Sequence, residues 1–409
     1  MVLVLVRGAY AHTWMPTGSP TGTRALVVAE TTPSAVYASF TSSSGVFRFT
    51  PGAGWVAAST GLPDGTAVLT LAVDPTAPTT LYAGLANSIF KTTDGGATWN
   101  AAAIGLPDTS PAITALAVSP TDSQIVYAGG TGETLGEDIG KASLLKSTDG
   151  GEYWRSINSN SPTFVDEFVP TWAFVIDPTD ASIVYAAGDV FGVLKTTDGG
   201  ATWSSSHNGI GGDGAWVTAL AIDASRPQFL YAGSEQFGVF KSLDAGTSWR
   251  RTALHYEITG LLFYSGRLYA AVYGTNSPIY SSSDMGMTWH ECSAGLTLGP
   301  RGRVIALAID PATEAVPLYA GTTDGVFAAF TSPCVSDCNG DGQVSVDEVV
   351  ALLNIALGAA YPLTCQIGLP IGKEVDITLL VQAVNNAMDG CGTQRAQRPP
   401  SIRLDACRR

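Results

Sequence analysis

Charged residues are scarce in this sequence, and basic ones are scarcer than acidic ones. Only 14% of the 409 residues are Asp, Glu, Lys or Arg, and the formal net charge is −14. A shortage of Lys and Arg argues against nucleic acid as a partner, because contacts to phosphate groups require basic clusters. The low charged fraction instead favours an extracellular protein.

Several common signatures of function are also missing. There are only four histidines, and the sequence contains no nucleophile elbow, P-loop or His-based metal motif. No apolar stretch is long enough to span a membrane. Residues 1–6 are apolar, but this segment is too short for the apolar core of a secretion signal. It also lacks the basic residues with which such a signal begins. We therefore expect the true start codon to lie upstream.

What the sequence does contain is repetition. The phrase Ser/Thr-x-Asp-x-Gly-x-x-Trp occurs five times, at residues 92–99, 147–154, 196–203, 242–249 and 282–289. A Leu/Val-Tyr-Ala phrase occurs seven times, at Tyr37, Tyr82, Tyr127, Tyr185, Tyr231, Tyr269 and Tyr319. The spacing of roughly 40 to 60 residues is that of a four-stranded propeller blade.

The segments between these phrases predict strands. They are short, rich in Val, Leu, Ala, Tyr and Thr, and separated by Gly, Asp and Pro, and helical periodicity is absent until about residue 346. The seventh unit ends near Phe330 without a Trp, whereas Thr13-Trp14 matches the end of the repeated phrase. We predict an all-β seven-bladed propeller over residues 1–331, closed by the N-terminal strand in the last blade.

The repeated phrase itself favours a structural role. Its Asp and Ser/Thr side chains can accept hydrogen bonds from backbone N–H groups across a tight turn, and its Gly tolerates a positive φ. Its Trp is suited to packing between neighbouring hairpins. Five identical sites around a ring would be an unusual design for catalysis.

The phrase is identified as the Asp box, or BNR repeat. Asp boxes occur in sialidases, but the Phe-Arg-Ile-Pro motif of those enzymes is not matched here. The longer pattern around each box resembles the xyloglucanase type of glycoside hydrolase, whose catalytic Asp residues face a cleft between two propellers. Because one propeller is predicted in this sequence, the resemblance implies that it supplies one side of such a cleft. A non-catalytic photosystem II assembly propeller is a third relative in pattern.

Candidate functional residues occupy loops that a propeller gathers on one face. Two long insertions, 129–141 and 156–171, make this rim acidic, and aromatic residues such as Trp216 and Tyr256 suit stacking on sugars. Solvated loops without a function are the alternative. Glycosidases require a defined carboxylate pair. The candidates for that pair are Asp166, Glu167, Asp189, Asp213 and Glu257.

A different module follows residue 331. Residues 337–348 match an EF-hand calcium loop. Its predicted ligands are Asp337, Asn339, Asp341, the backbone carbonyl of Gln343, Ser345 and Glu348. A second copy follows in which Lys373 replaces the loop glycine, and a helix is predicted after each loop, at 349–357 and 380–388.

The two copies resemble the dockerin type of module over residues 334–391. The resemblance implies calcium-dependent folding and attachment to a partner, usually a cohesin. We predict a small α-helical domain of this kind over 332–392, with only the first loop competent for calcium, and a basic disordered tail over 393–409. Four of the six cysteines lie in this module, where disulfides are favoured over a zinc site.

The sequence therefore predicts a secreted, monomeric, non-catalytic propeller. It would bind a glycan or an extracellular protein on its loops, bind no nucleic acid, have no membrane span, and dock through a calcium-binding module to a cohesin-like partner. The alternative is an Asp-box glycoside hydrolase that cleaves polysaccharide with a carboxylate pair.

Overall fold

The computed structural model describes residues 12–106, 112–131, 143–157, 170–189, 191–211, 216–275, 278–311 and 318–331. It also describes four single positions with helical backbone conformation, Val349, Val350, Leu353 and Val384. The predicted α-helical domain, its calcium ligands and the basic tail otherwise lie outside the described residues. No helix in the described part of the chain is long and apolar enough to cross a membrane.

The described residues form seven four-stranded antiparallel sheets, each of which is one blade. The innermost strands are β2 (Thr23–Ala29), β6 (Val68–Val73), β10 (Ala112–Val118), β14 (Thr171–Asp177), β18 (Val217–Ile222), β22 (Glu257–Tyr264) and β26 (Val304–Ile309). The second strands are β3 (Ala35–Phe40), β7 (Leu81–Leu85), β11 (Val126–Thr131), β15 (Asp180–Gly188), β19 (Leu230–Ser234), β23 (Arg267–Tyr273) and β27 (Leu318–Thr322).

The outer half of each blade consists of two further strands. The third strands are β4 (Val46–Thr50), β8 (Ser88–Thr92), β12 (Ser143–Ser147), β16 (Gly192–Thr196), β20 (Gly238–Ser242), β24 (Ile279–Ser282) and β28 (Gly325–Thr331). The outermost strands are β5 (Gly54–Ala57), β9 (Asn100–Ala101), β13 (Arg155–Ser156), β17 (Ser204–Ser205), β21 (Arg250–Arg251), β25 (His290–Glu291) and β1 (His12–Pro16). We number the blades 1 to 7 in the order of their innermost strands.

The blades form a closed ring. Each innermost strand contacts the innermost strand of the next blade, and β26 contacts β2. The seven-bladed propeller predicted from the repeats is therefore confirmed. The buried side chains form seven clusters in the described residues, and each cluster combines residues of adjacent blades. The core thus lies between the blades, because each sheet buries both of its faces.

Blade 7 is completed from the N-terminal side of the chain. Strand β1 pairs with β28 in antiparallel register, from His12 opposite Thr331 to Pro16 opposite Phe327. Trp14 is fully buried, and its indole N–H donates a hydrogen bond of 2.5 Å to the carbonyl oxygen of Cys292 in blade 6. Box tryptophans make the same bond to the preceding blade; these are Trp99, Trp154 and Trp249. Trp14 therefore occupies the place of a box tryptophan.

Each Asp box donates several hydrogen bonds to the side chain of its own aspartate. Asp94 accepts bonds from the hydroxyl of Thr92 (2.7 Å), the backbone N–H of Thr98 (2.9 Å) and the hydroxyl of Thr98 (2.6 Å). The Thr98 hydroxyl is the main reason that the pKa of Asp94 falls to about 2. The box carboxylates are thus committed to their own turns, as a structural role requires.

The preceding blade also holds each box in place. The hydroxyl of Tyr82 and the ammonium group of Lys91, both in blade 2, donate to the carbonyl oxygen of Gly150 in the box of blade 3, at 2.8 and 2.7 Å. Tyr185 and Lys195 make the equivalent bonds to Ala245. The repeated Tyr-Ala phrase and the box therefore form a joint between neighbouring blades.

Candidate functional site

The two ends of the propeller differ in what their connections carry. Because neighbouring strands are antiparallel, the turns between third and fourth strands, which contain the Asp boxes, lie at one end, which we call the box face. The connections between second and third strands and between blades lie at the other end, which we call the loop face. The loop-face residues considered below are Trp172, Asp189, Trp216, Glu235, Glu257, Tyr273 and Arg303.

Trp172 and Asp189 form a hydrogen-bonded pair in blade 4. The indole N–H of Trp172 donates to Oδ1 of Asp189 at 2.7 Å, although 41% of Trp172 is exposed. Asp189 follows β15 directly, and its backbone N–H bonds the carbonyl oxygen of Pro170 at 3.3 Å. Burial raises the pKa of the Asp189 carboxyl group, and the bond from Trp172 lowers it in part.

Glu235 occupies the corresponding position in blade 5, directly after β19. Its backbone N–H donates to the carbonyl oxygen of Trp216 at 3.1 Å. Burial is the largest cause that raises the pKa of Glu235; the nearby charges of Glu257 and Asp189 raise it further, and Arg303 lowers it. Three carboxylates from three adjacent blades therefore interact electrostatically at this face.

Blades 6 and 7 supply an aromatic ring and a cation. Glu257 begins β22 and pairs in register with Tyr273 of β23. The guanidinium group of Arg303 lies over the Tyr273 ring, 5.4 Å from its centroid. This geometry is that of a cation–π contact. It places the guanidinium group near the acidic residues of the loop face.

The structure places only some of the candidates from the sequence. Asp189 and Glu257 lie on the loop face, in blades 4 and 6. Asp166, Glu167 and Asp213 lie outside the described residues, as do the calcium ligands, which are Asp337, Asn339, Asp341, Gln343, Ser345 and Glu348. Within the described ranges, no group of three or more His, Cys, Asp or Glu residues could hold a metal ion.

Three residues of the loop face escaped the sequence reasoning, namely Trp172, Glu235 and Tyr273. Aligning the repeats would have found Glu235, because Glu235 and Asp189 each directly follow the second strand of their blade. Chemically, exposed rings beside carboxylates can stack on a polar ligand and accept its hydrogen bonds. Carboxylic acids whose pKa is raised by burial can also act as general acids.

No protein-family model and no curated protein matches this chain. Solved structures do match it. The GH74 enzyme of Niastella koreensis is 18% identical with a TM-score of 0.57, covering 78% of this chain and 53% of that chain. The GH74 xyloglucanase of Xanthomonas campestris is 18% identical with a TM-score of 0.56 and the same two coverages. YCF48 bound to D1 peptide is 10% identical with a TM-score of 0.54, covering 79% of this chain and 98% of that chain.

These similarities show a shared propeller fold. The chain spans about half the length of the GH74 chains that it matches and nearly all of the YCF48 chain. The resemblance to xyloglucanase-type propellers, which the repeat pattern indicated, therefore holds at the level of fold.

Proposed function

We propose that this protein is a secreted, non-catalytic propeller that binds a glycan or protein ligand on its loop face and docks through a calcium-binding C-terminal module. The observation that carries the proposal is the set of exposed rings around partly buried carboxylates. Trp172, Trp216 and Tyr273 are 41%, 39% and 39% exposed. Large aromatic side chains that stay exposed beside polar groups are typical of binding surfaces.

The distribution of hydrogen bonds supports this assignment of the face. Box aspartates such as Asp94 receive several bonds from their own turns, whereas the side chain of Asp189 receives one within the described ranges, from Trp172. The carboxylates of the loop face thus keep acceptor capacity for a ligand. Propellers of this fold include GH74 enzymes and one bound to a D1 peptide, so both ligand classes enter the proposal.

The alternative function is a glycoside hydrolase of the Asp-box type. The observation that favours it is that burial raises the pKa of the carboxyl groups of Asp189 and Glu235, because a raised pKa is a property of the general acid in such enzymes. The exposed rings beside the same carboxylates, however, are typical of a binding surface, and acid–base chemistry does not require them. We therefore prefer the binding function.

One assay separates the two functions. The purified full chain is incubated with plant and bacterial polysaccharides in calcium, and both co-sedimentation and release of reducing ends are measured. Retention without release supports the binding propeller. Release that disappears in Asp189→Asn or Glu235→Gln supports the hydrolase. If neither retention nor release is observed, a glycan ligand is contradicted. A protein then remains the proposed ligand.

The calcium module and the extracellular location belong to the same proposal. Cys292 is disulfide-bonded, and disulfides are typical of oxidising compartments. The loop at 337–348 would bind calcium through its carboxylate and amide oxygens, the hydroxyl of Ser345 and the backbone carbonyl of Gln343. A cohesin-like protein is the proposed docking partner, and the propeller is proposed to act as a monomer.

Substituting Glu348 tests the calcium site. Glu348→Gln removes the bidentate ligand, so we expect calcium binding to be lost in calorimetric titration and the C-terminal region to become sensitive to protease. The thermal unfolding of the propeller should not change. An unaltered calcium affinity would contradict the EF-hand assignment.

A further inference from the structure

Each innermost strand carries a β-bulge near its loop-face end. The bulged residues, which the pairing with the second strand skips, are Arg24, Leu69, Thr114, Trp172, Thr218, Thr259 and Ile305. Bulges re-aim side chains and are common beside active sites. The seven bulges form a ring of equivalent positions, so the residue types that occupy them can be compared directly.

Most bulged residues serve the ring itself. The hydroxyls of Thr114, Thr218 and Thr259 each donate a 2.7 Å bond to a backbone carbonyl of the next blade. Leu69 and Ile305 are partly buried. Only Arg24 and Trp172, among these seven positions, are exposed to solvent. Trp172 therefore departs from the structural use of its position.

The exposed indole of Trp172 is held in a fixed orientation. Its ring is attached to a bulged strand, and its N–H is bonded to Asp189. In the described part of the chain this N–H is the only donor to the Asp189 carboxylate. The pair thus presents a flat apolar face with a carboxylate at its edge that can accept further hydrogen bonds.

We propose that Trp172 is a stacking platform for a sugar ring and that Asp189 is a positioning residue that holds the indole for it. This inference rests on the proposed function and narrows its ligand to a glycan. A pyranose ring has C–H groups on its face and hydroxyls on its edge, which complement an indole face and a neighbouring carboxylate oxygen. Preorganisation of the indole reduces the entropy lost on binding.

The assignment changes the role of Asp189 from that of a catalytic carboxylate. A positioning role requires only an oxygen that accepts the indole bond, which an amide oxygen can do. A general acid or base requires the ionisable group. Asp189→Asn and Asp189→Ala therefore separate the two roles, because they remove different properties of the side chain.

The experiment measures affinity of the full chain for the polysaccharide retained by the wild-type protein. We expect Trp172→Ala to weaken binding about tenfold or more, as for an aromatic side chain that the bound ligand covers. Asp189→Ala should weaken it roughly three- to tenfold and Asp189→Asn less than about twofold. Tyr153→Ala is the control, because Tyr153 is an exposed ring in a turn of the box face, and it should leave affinity unchanged.

A second readout follows the indole directly. The ¹⁵N–¹H signal of the Trp172 indole, identified by its absence in Trp172→Ala, should shift in Asp189→Ala and stay near its wild-type position in Asp189→Asn. A purely structural role of Asp189 elsewhere in the blade would not move this signal selectively.

Specific outcomes overturn the inference. Unchanged affinity in Trp172→Ala would contradict the role of Trp172 as a stacking platform, but it would leave the proposed glycan-binding function intact. Equal losses in Asp189→Asn and Asp189→Ala would show that the charge itself acts. If the wild-type protein binds a peptide and no polysaccharide, the inference that Trp172 stacks on a sugar is overturned. A protein-binding function would then remain. Binding of neither class would overturn both proposals.

Discussion

Aspartates at the two faces of the propeller have opposite electrostatics. At the box face, Asp198 accepts bonds from Thr202 and Thr196, and the pKa of Asp198 falls to about 2. At the loop face, burial raises the pKa of Asp189. The same residue type is thus stabilised as an anion in one turn and penalised as an anion in the other.

The difference separates structural carboxylates from functional candidates without any knowledge of a ligand. A carboxylate whose hydrogen bonds are provided by its own turn has little capacity left for other partners. A carboxylate that is partly buried and sparsely bonded is destabilising for the fold, and a ligand can relieve that cost. Placement of such groups at one face is a reason to look for binding there.

The largest expected contrast concerns tryptophans of the two faces. Trp154 is fully buried and donates a 2.7 Å bond to Ala102 of the preceding blade. Trp154→Ala should lower the free energy of unfolding by about 3–5 kcal/mol, because it leaves a large cavity at a joint between blades. Trp172→Ala should lower it by less than about 1 kcal/mol, because the ring is exposed.

Denaturant unfolding followed by circular dichroism measures both values. Equal losses of stability in the two variants would mean that the loop-face ring is also structural and would remove the contrast between the faces.

Acid should lower the stability of the fold through protonation of the aspartates at the box face. The hydroxyls of Thr98, Thr202 and Ser248 are the main causes that lower the pKa of Asp94, Asp198 and Asp244 to about 2. A carboxyl group with a lowered pKa stabilises the fold above its unfolded pKa of about 4 and loses this contribution as the pH falls towards 2. The melting temperature should therefore decline between pH 4 and 2.

The control is a protein with Thr98→Val and Thr202→Val, which removes two of the hydroxyl donors. Its decline should begin from a lower melting temperature and be shallower. A decline of unchanged steepness would show that other groups determine the acid sensitivity.

The smallest expected effect lies at the loop face. Because burial and neighbouring carboxylates raise the pKa of Glu235, its ionised form opposes folding as the pH rises above its unfolded pKa. Glu235→Gln should therefore be neutral or slightly stabilising at pH 7, within about 0.5 kcal/mol. Thermal unfolding at pH 7 tests this, and a clear destabilisation would mean that Glu235 supports the fold.

The fold could be predicted from the sequence because repetition fixes it. Seven Tyr-Ala phrases at blade spacing determine the number of blades, and Thr13-Trp14 reproduces the end of a box whose beginning lies near residue 330. Each of these signals is a residue type at a fixed interval, which a sequence shows directly. The repeats predict no features that differ between blades.

The candidate site could be predicted only in part for that reason. Asp189 and Glu257 were found as acidic residues in loops, but Trp172 lies inside a strand that reads as an ordinary apolar segment. It occupies a bulge of that strand, and its hydrogen bond joins residues 17 positions apart. Pairing register and side-chain contacts of this kind arise from tertiary structure rather than from residue type.

The pairing of β1 with β28 has a consequence for synthesis of the chain. The indole of Trp14 bonds a carbonyl 278 residues further on, so β1 emerges from the ribosome long before its partner exists. Until β28 is made, an apolar edge strand stays unpaired and is open to wrong partners. Nascent chains halted within blade 7 should therefore be the ones most dependent on chaperones, because six finished blades still cannot bury β1.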